Sequence, residues 1–167
     1  MKIIKIMLAF VLIINTINVK AQDYRLEGSE VKIAAEINFE AGSARLLPES
    51  DAALSIVKKY LDDKSYISLL RVEGHTAGEG LAGDQALSEK RALAVCKRLV
   101  EMGVDCKRLI AVGFGNQKPV ADNSTSEGRA ANRRIAFVNV SLRGHVIGGL
   151  PTDGGGNVAA GEICKPE

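Results

Sequence analysis

The sequence has no tryptophan, and aromatic residues make up only 4% of its 167 positions. A nucleic-acid stacking platform needs aromatic faces, so that class of partner is a poor fit. The formal net charge of +2 is too near zero to imply a polyanionic partner. There are two histidines, His75 and His145, and no nucleophile stands at a spacing that suggests a partner base. Gly154-Gly155-Gly156 lacks the Lys-Ser/Thr of a phosphate loop. The cysteines form no CxxC pair and the histidines no HxxxH pair, which excludes the usual zinc frameworks. No metal, cofactor or catalytic residue is expected, and the chain is read as a non-enzyme. There is also no array of ten-residue alternating segments, the mark of a membrane barrel.

One long apolar run is present, and it comes first. Lys2 and Lys5 precede Ile6 to Val19, and small Ala21 follows. Asn15, Thr16 and Asn18 interrupt the run, which falls short of the roughly 20 apolar residues of a spanning helix. Residues 1–21 are therefore expected to be a cleaved signal peptide, and 22–30 a lead-in. Export would place Cys96, Cys106 and Cys164 in an oxidising compartment. Cys96 and Cys106 are expected to pair, with two unrelated buried thiols as the alternative. In the first case Cys164 stays exposed on the tail.

The whole chain is 46% hydrophobic, enough for an aliphatic core in what remains. Residues 31–39 alternate, with Val31, Ile33, Ala35, Ile37 and Phe39 on one face, and predict a strand. Pro48 opens a helix to about residue 62, where Ala53, Leu54, Val57 and Leu61 recur at helical spacing. Residues 66–73 predict a second strand, and Leu87, Ala92, Val95 and Leu99 a helix over 83–102 that Gly103 ends. Strands follow at 109–114 and 134–142, with one short helical turn in the polar stretch 122–131. The order predicts an α+β fold in which two helices cover one mixed sheet. Gly148-Gly149, Pro151 and Gly154 to Gly156 make residues 143–167 read as a flexible Gly-rich tail.

Four stretches carry a resemblance. They are Ile37 to Ala44 with Leu47-Pro48-Glu49-Ser50, then Val72-Glu73-Gly74-His75-Thr76, then Leu87-Ser88-Glu89-Lys90-Arg91-Ala92, and last Glu127 to Ala130 with Asn132-Arg133-Arg134-Ile135. In this order and spacing they resemble the OmpA-like domain, over residues 31–142. The resemblance implies a β-α-β-α-β-β sandwich that binds peptidoglycan without covalent attachment. The implied ligand is the diaminopimelate of the stem peptide, in the periplasm or at the outer membrane. An outer-membrane or envelope protein is a second implied partner. Such a zwitterion needs an anion and a cation held apart on a rigid frame. Arg91 matches the family's carboxylate-binding Arg, Phe39 and Glu40 match pocket positions, and Leu87 matches an apolar wall. Phe39 reads equally well as core. His75, Asn132, Arg133 and Arg134 match positions expected to brace the frame. The family's Asp is Ala77 here, so the anionic half of the site is degenerate. Either Glu79, Asp84 or Glu40 replaces it, or the ligand is a different stem peptide or another carboxylate. The alternative is an OmpA-like fold that has lost wall binding and serves as a protein-interaction module in the envelope.

Overall fold

The computed structural model of the protein describes residues 23–78, 82–148 and 155–164. The expected signal peptide and Glu79 lie outside these residues. The chain order is β1 (Tyr24–Glu27), β2 (Glu30–Ile33), α1 (Ser50–Asp63), β3 (Ile67–His75) and α2 (Ala82–Glu101). A short 3-10 turn (Cys106–Arg108) precedes β4 (Leu109–Gly115), α3 (Ser126–Asn132), β5 (Ile135–Leu142), β6 (His145–Val146) and β7 (Asn157–Val158). The sheet runs β1-β2-β5-β3-β4-β7, with β6 beside β5. Only β3 and β4 are parallel, as the crossover through α2 requires. The α+β class and both long helices agree with the sequence reading.

The periodicities explain the layers. Leu54, Val57 and Leu61 of α1 and Val95, Cys96 and Leu99 of α2 are fully buried with Leu70, Val72, Ala111 and Phe137 of the sheet. Each fully buried Val or Leu contributes about 1.5–3 kcal/mol. Two glycines set how closely α2 approaches. A Cβ on Gly74 would fall 2.1 Å from the Ser88 carbonyl oxygen, and one on Gly113 would fall 2.5 Å from the Glu89 backbone nitrogen. Ser88 fastens the same seam: its buried Oγ donates to the Gln85 carbonyl at 2.7 Å and accepts from the Gly115 N–H at 2.9 Å.

The other face of the sheet is not bare. Arg71, Glu73 and His75 project there in a row along β3, all but sealed from solvent. Glu73 accepts from Arg71 at 2.6–2.8 Å and faces His75 Nε2 at 3.1 Å. The His75 ring stacks on Phe114, over which Lys118 Nζ sits at 3.8 Å.

Four expectations are corrected. The strand foreseen over 31–39 stops at Ile33. Beyond it Phe39 makes only an isolated bridge to Leu46. Ile37 and Phe39 still pack against the core, so the alternation persists without a ladder. The lead-in 22–30 holds β1, paired in full register with β2. The stretch 143–167 is not a free tail over its described residues: β7 pairs with β4, and Ala159 and Ile163 join the core. Finally, Cys106 pairs with Cys164, Cα atoms 5.0 Å apart, while Cys96 is a buried free thiol. Cys96 points from α2 into the core, out of reach of a loop residue. Burial pushes its thiol pKa up, so it behaves as a small hydrophobe.

Candidate functional site

The candidate site forms where the loop after β2, the end of β3 and the outer face of α2 meet. The loop from Phe39 to Leu46 is closed by reciprocal backbone contacts. The Glu40 N–H donates to the Arg45 carbonyl, and the Ser43 N–H to the Glu40 carbonyl, both at 3.0 Å. Ser50 pins the start of this loop: its Oγ accepts from the Asn38 N–H at 2.8 Å and donates to the Asn38 carbonyl at 3.0 Å.

Arg91 reaches from α2 into this loop. Its Nε donates to the Ser43 carbonyl at 2.8 Å, and its guanidinium carbon lies 4.9 Å from the centre of the Phe39 ring. Phe39 lies beneath Arg91 and also packs against the core. Burial, and then the nearby charge of Arg133, lower the Arg91 pKa from its usual value, but a guanidinium stays charged at any ordinary pH. Among the described residues no carboxylate pairs with Arg91. The charge is fixed in place, and part of its fork is left for a ligand.

The chain has no acid at the expected place. Ala77 is buried, and Thr76 before it is tied to β4 by its N–H, which donates to the Gly115 carbonyl at 2.8 Å. The next residue, Gly78, accepts from Asn116 Nδ2 at 2.7 Å. A Cβ on Gly78 would strike Asp84 Oδ2 at 1.7 Å, so the Asp84 carboxylate lies directly against this loop. Asp84, Leu87 and Arg91 are spaced i, i+3, i+7, which puts them on one face of α2 over about 10.5 Å of axis. Glu40 faces elsewhere, paired with Arg45 at 3.3 Å.

The remaining motif residues fall around this site. Asn132 is fully buried and knits the preceding loop together. Its Oδ1 accepts from the N–H groups of Val120 and Ala121 at 2.7 and 3.1 Å, and its Nδ2 donates to the Ala121 carbonyl at 2.7 Å. Arg134 Nη2 donates to the Lys118 carbonyl at 3.2 Å. Arg133 is exposed. His75 belongs to the buried row and does not open onto the site. Ser43 and Ser50 were not singled out in the sequence. Their part depends on a loop closure that no spacing announces.

A two-layer α+β domain with Arg91 and Asp84 of α2 set against the β2–α1 and β3–α2 loops is the class this geometry defines. The sequence model of the OmpA family matches residues 38–133, and the chain belongs to that family. It is 37% identical over 117 residues to the outer-membrane lipoprotein YfiB of Pseudomonas aeruginosa, covering 70% of this chain and 69% of that one. It is 42% identical over 108 residues to outer membrane porin F of the same organism, covering 63% of this chain but only 30% of the porin. Among solved structures, the cell wall anchor of the Pseudomonas aeruginosa T6SS is similar at 27% identity and a TM-score of 0.60. That match covers 74% of this chain and 91% of the anchor.

Proposed function

We propose that this chain is a non-covalent peptidoglycan-binding module of the cell envelope, not an enzyme. The half-buried Arg91 guanidinium, seated on Phe39 and unmatched by a carboxylate among the described residues, carries this reading. It is a ready receptor for the free carboxylate of a diaminopimelate side chain, since a planar fork can make two parallel hydrogen bonds. Asp84 takes the place of the missing family acid: it lies beside Gly78, one residue past Ala77, on the same helix face as Arg91. Leu87 between them offers an apolar wall to the methylene chain. The similarity to a protein described as a cell wall anchor supports attachment to the cell wall. The Cys106–Cys164 disulfide suits an oxidising location such as the periplasm, and the outer-membrane relatives suit attachment there through a partner protein.

A second reading follows from Ala77, which puts an apolar, buried methyl where the family carries an acid. On that reading the fold has become a protein-interaction module. Calorimetry with a diaminopimelate-containing muropeptide separates the two. Natural protein is expected to bind, with both Arg91→Ala and Asp84→Asn weaker. An absence of heat with natural protein, or unchanged affinity in Arg91→Ala, overturns the wall-binding reading.

A further inference from the structure

Strand β1 closes one side of the sheet, with β2 as its neighbour among the described residues. The hydrogen-bond pattern of the β1–β2 hairpin fixes which backbone groups β1 leaves over. The Ala34 N–H donates to the Asp23 carbonyl at 3.3 Å, so Asp23 is turned toward β2. In an antiparallel pair every second residue does the same, so Arg25 and Glu27 bond to Lys32 and Glu30. Tyr24 and Leu26 therefore direct their N–H and C=O groups outward. Among the described residues no strand pairs with them.

The side chains of β1 are poorly matched within their own hairpin. Arg25 stands opposite Lys32 and Glu27 opposite Glu30, and like charges directly opposite destabilise a strand pair. The charges are answered only along each strand, Lys32 by Glu30 at 2.6 Å and Arg25 by Glu27 at 2.8 Å. The far sides of Arg25 and Glu27 stay open, and their side chains are 74% and 50% exposed. Leu26 lies between them on the opposite face, the one where the Tyr24 ring packs on Tyr60 of α1, and is 50% exposed.

We infer that β1 is the contact edge of a two-fold homodimer, in which it pairs antiparallel with β1 of a second copy about an axis at Leu26. In that register the two Leu26 residues exchange both backbone hydrogen bonds, and their side chains meet. Arg25 lies opposite Glu27 of the second copy, and Glu27 opposite Arg25 of the second copy. The four charges alternate around the axis. Each finds across the edge the opposite charge that its own hairpin denies it. A slip of two residues is the smallest that keeps the outward backbone groups paired. In one direction it sets Arg25 against Arg25, in the other Glu27 against Glu27, so charge fixes the register. The contact uses the same edge of both copies and closes at two. One four-residue strand from each copy buries less than a standard interface, so the dimer is weak and concentration-dependent.

Sedimentation equilibrium of the oxidised, exported protein up to about 1 mM is expected to show monomer passing to dimer and no larger species. Arg25→Glu and Glu27→Arg each put like charges across the edge, and each is expected to weaken the dimer at least about 10-fold. Mixed in equal amounts, the two variants are expected to regain the natural affinity as a heterodimer, because each strand then carries one sign and faces the other. In natural protein, amide exchange at Leu26 is expected to slow as concentration rises, while Arg25, already bonded to β2, keeps its rate. Natural protein that stays monomeric, dimerisation unchanged in both variants, or a mixture no stronger than its parts overturns the inference. Leu26 exchange that is independent of concentration overturns it as well.

Discussion

At the scale of single residues, Arg91 and the buried row on β3 make separate demands. On the proposed wall-binding function, Arg91 would give a ligand carboxylate one charge-assisted contact of about 1.5–3 kcal/mol. Arg91→Ala is therefore expected to weaken muropeptide binding by about 10- to 150-fold in calorimetry. Arg91→Lys keeps the charge but loses the fork, and is expected to fall between the two. In the buried row, burial holds the His75 pKa below its ordinary 6.5, against the opposing Glu73 hydrogen bond. Burial raises Glu73, but the His75 hydrogen bond and the Arg71 charge outweigh it and leave Glu73 below its ordinary 4.5. Both groups take up protons more readily in the unfolded chain. Each therefore lends stability above its unfolded pKa that is lost as pH falls. The melting temperature is expected to hold near pH 7 and to decline in two stages, below about 6.5 and again below about 4.5. His75→Gln is expected to remove the first stage and keep the second. A decline of unchanged shape in that variant would place the titration elsewhere.

At the scale of elements, the α2–sheet seam fixes where the site residues stand. Gly74 and Gly113 leave no room for a side chain between β3, β4 and α2. Gly74→Ala must displace the helix backbone at Ser88. It is expected to cost about 1–3 kcal/mol in urea denaturation, as overpacking does. Because Ser88 and Arg91 lie within one turn of α2, the same change is expected to weaken ligand binding as well. The helices were legible in the sequence because Leu54, Val57 and Leu61, and Val95 and Leu99, repeat at the period of a buried helical face. The end of β2 was not legible. Ile37 and Phe39 keep their apolar faces buried after the ladder stops, and alternation reports burial, not pairing. Arg91 and Phe39 were each legible as matched positions, but their contact was not, and Asp84 stood in the sequence as one of three candidate acids until the Gly78 loop was seen against it.

At the scale of the whole molecule, the disulfide ties the last strand to the sheet. Cys106 and Cys164 are 58 residues apart, and cross-linking a loop of that length stabilises by about 4 kcal/mol in the chain-entropy account. Cys164→Ser is expected to lose stability of that order in chemical denaturation. A thiol reagent applied to oxidised natural protein is expected to find no reactive group until the protein unfolds, and then one, Cys96. A thiol that titrates in the native state would contradict the pairing. The pairing was unreadable in sequence because glycines mark residues 148–156 as a linker. The residues that dock beyond it, Ala159 and Ile163, are too few to make a periodic pattern.

The docked strand also governs how molecules meet one another. Strand β7 is only two residues long, yet it lies along β4 and covers part of an edge that would otherwise present unpaired N–H and C=O groups. Exposed edges of this kind recruit strands from neighbouring chains. The disulfide is therefore a solubility device as much as a staple. Reduced protein at high concentration is expected to scatter light and form higher-order species, with oxidised protein remaining clear.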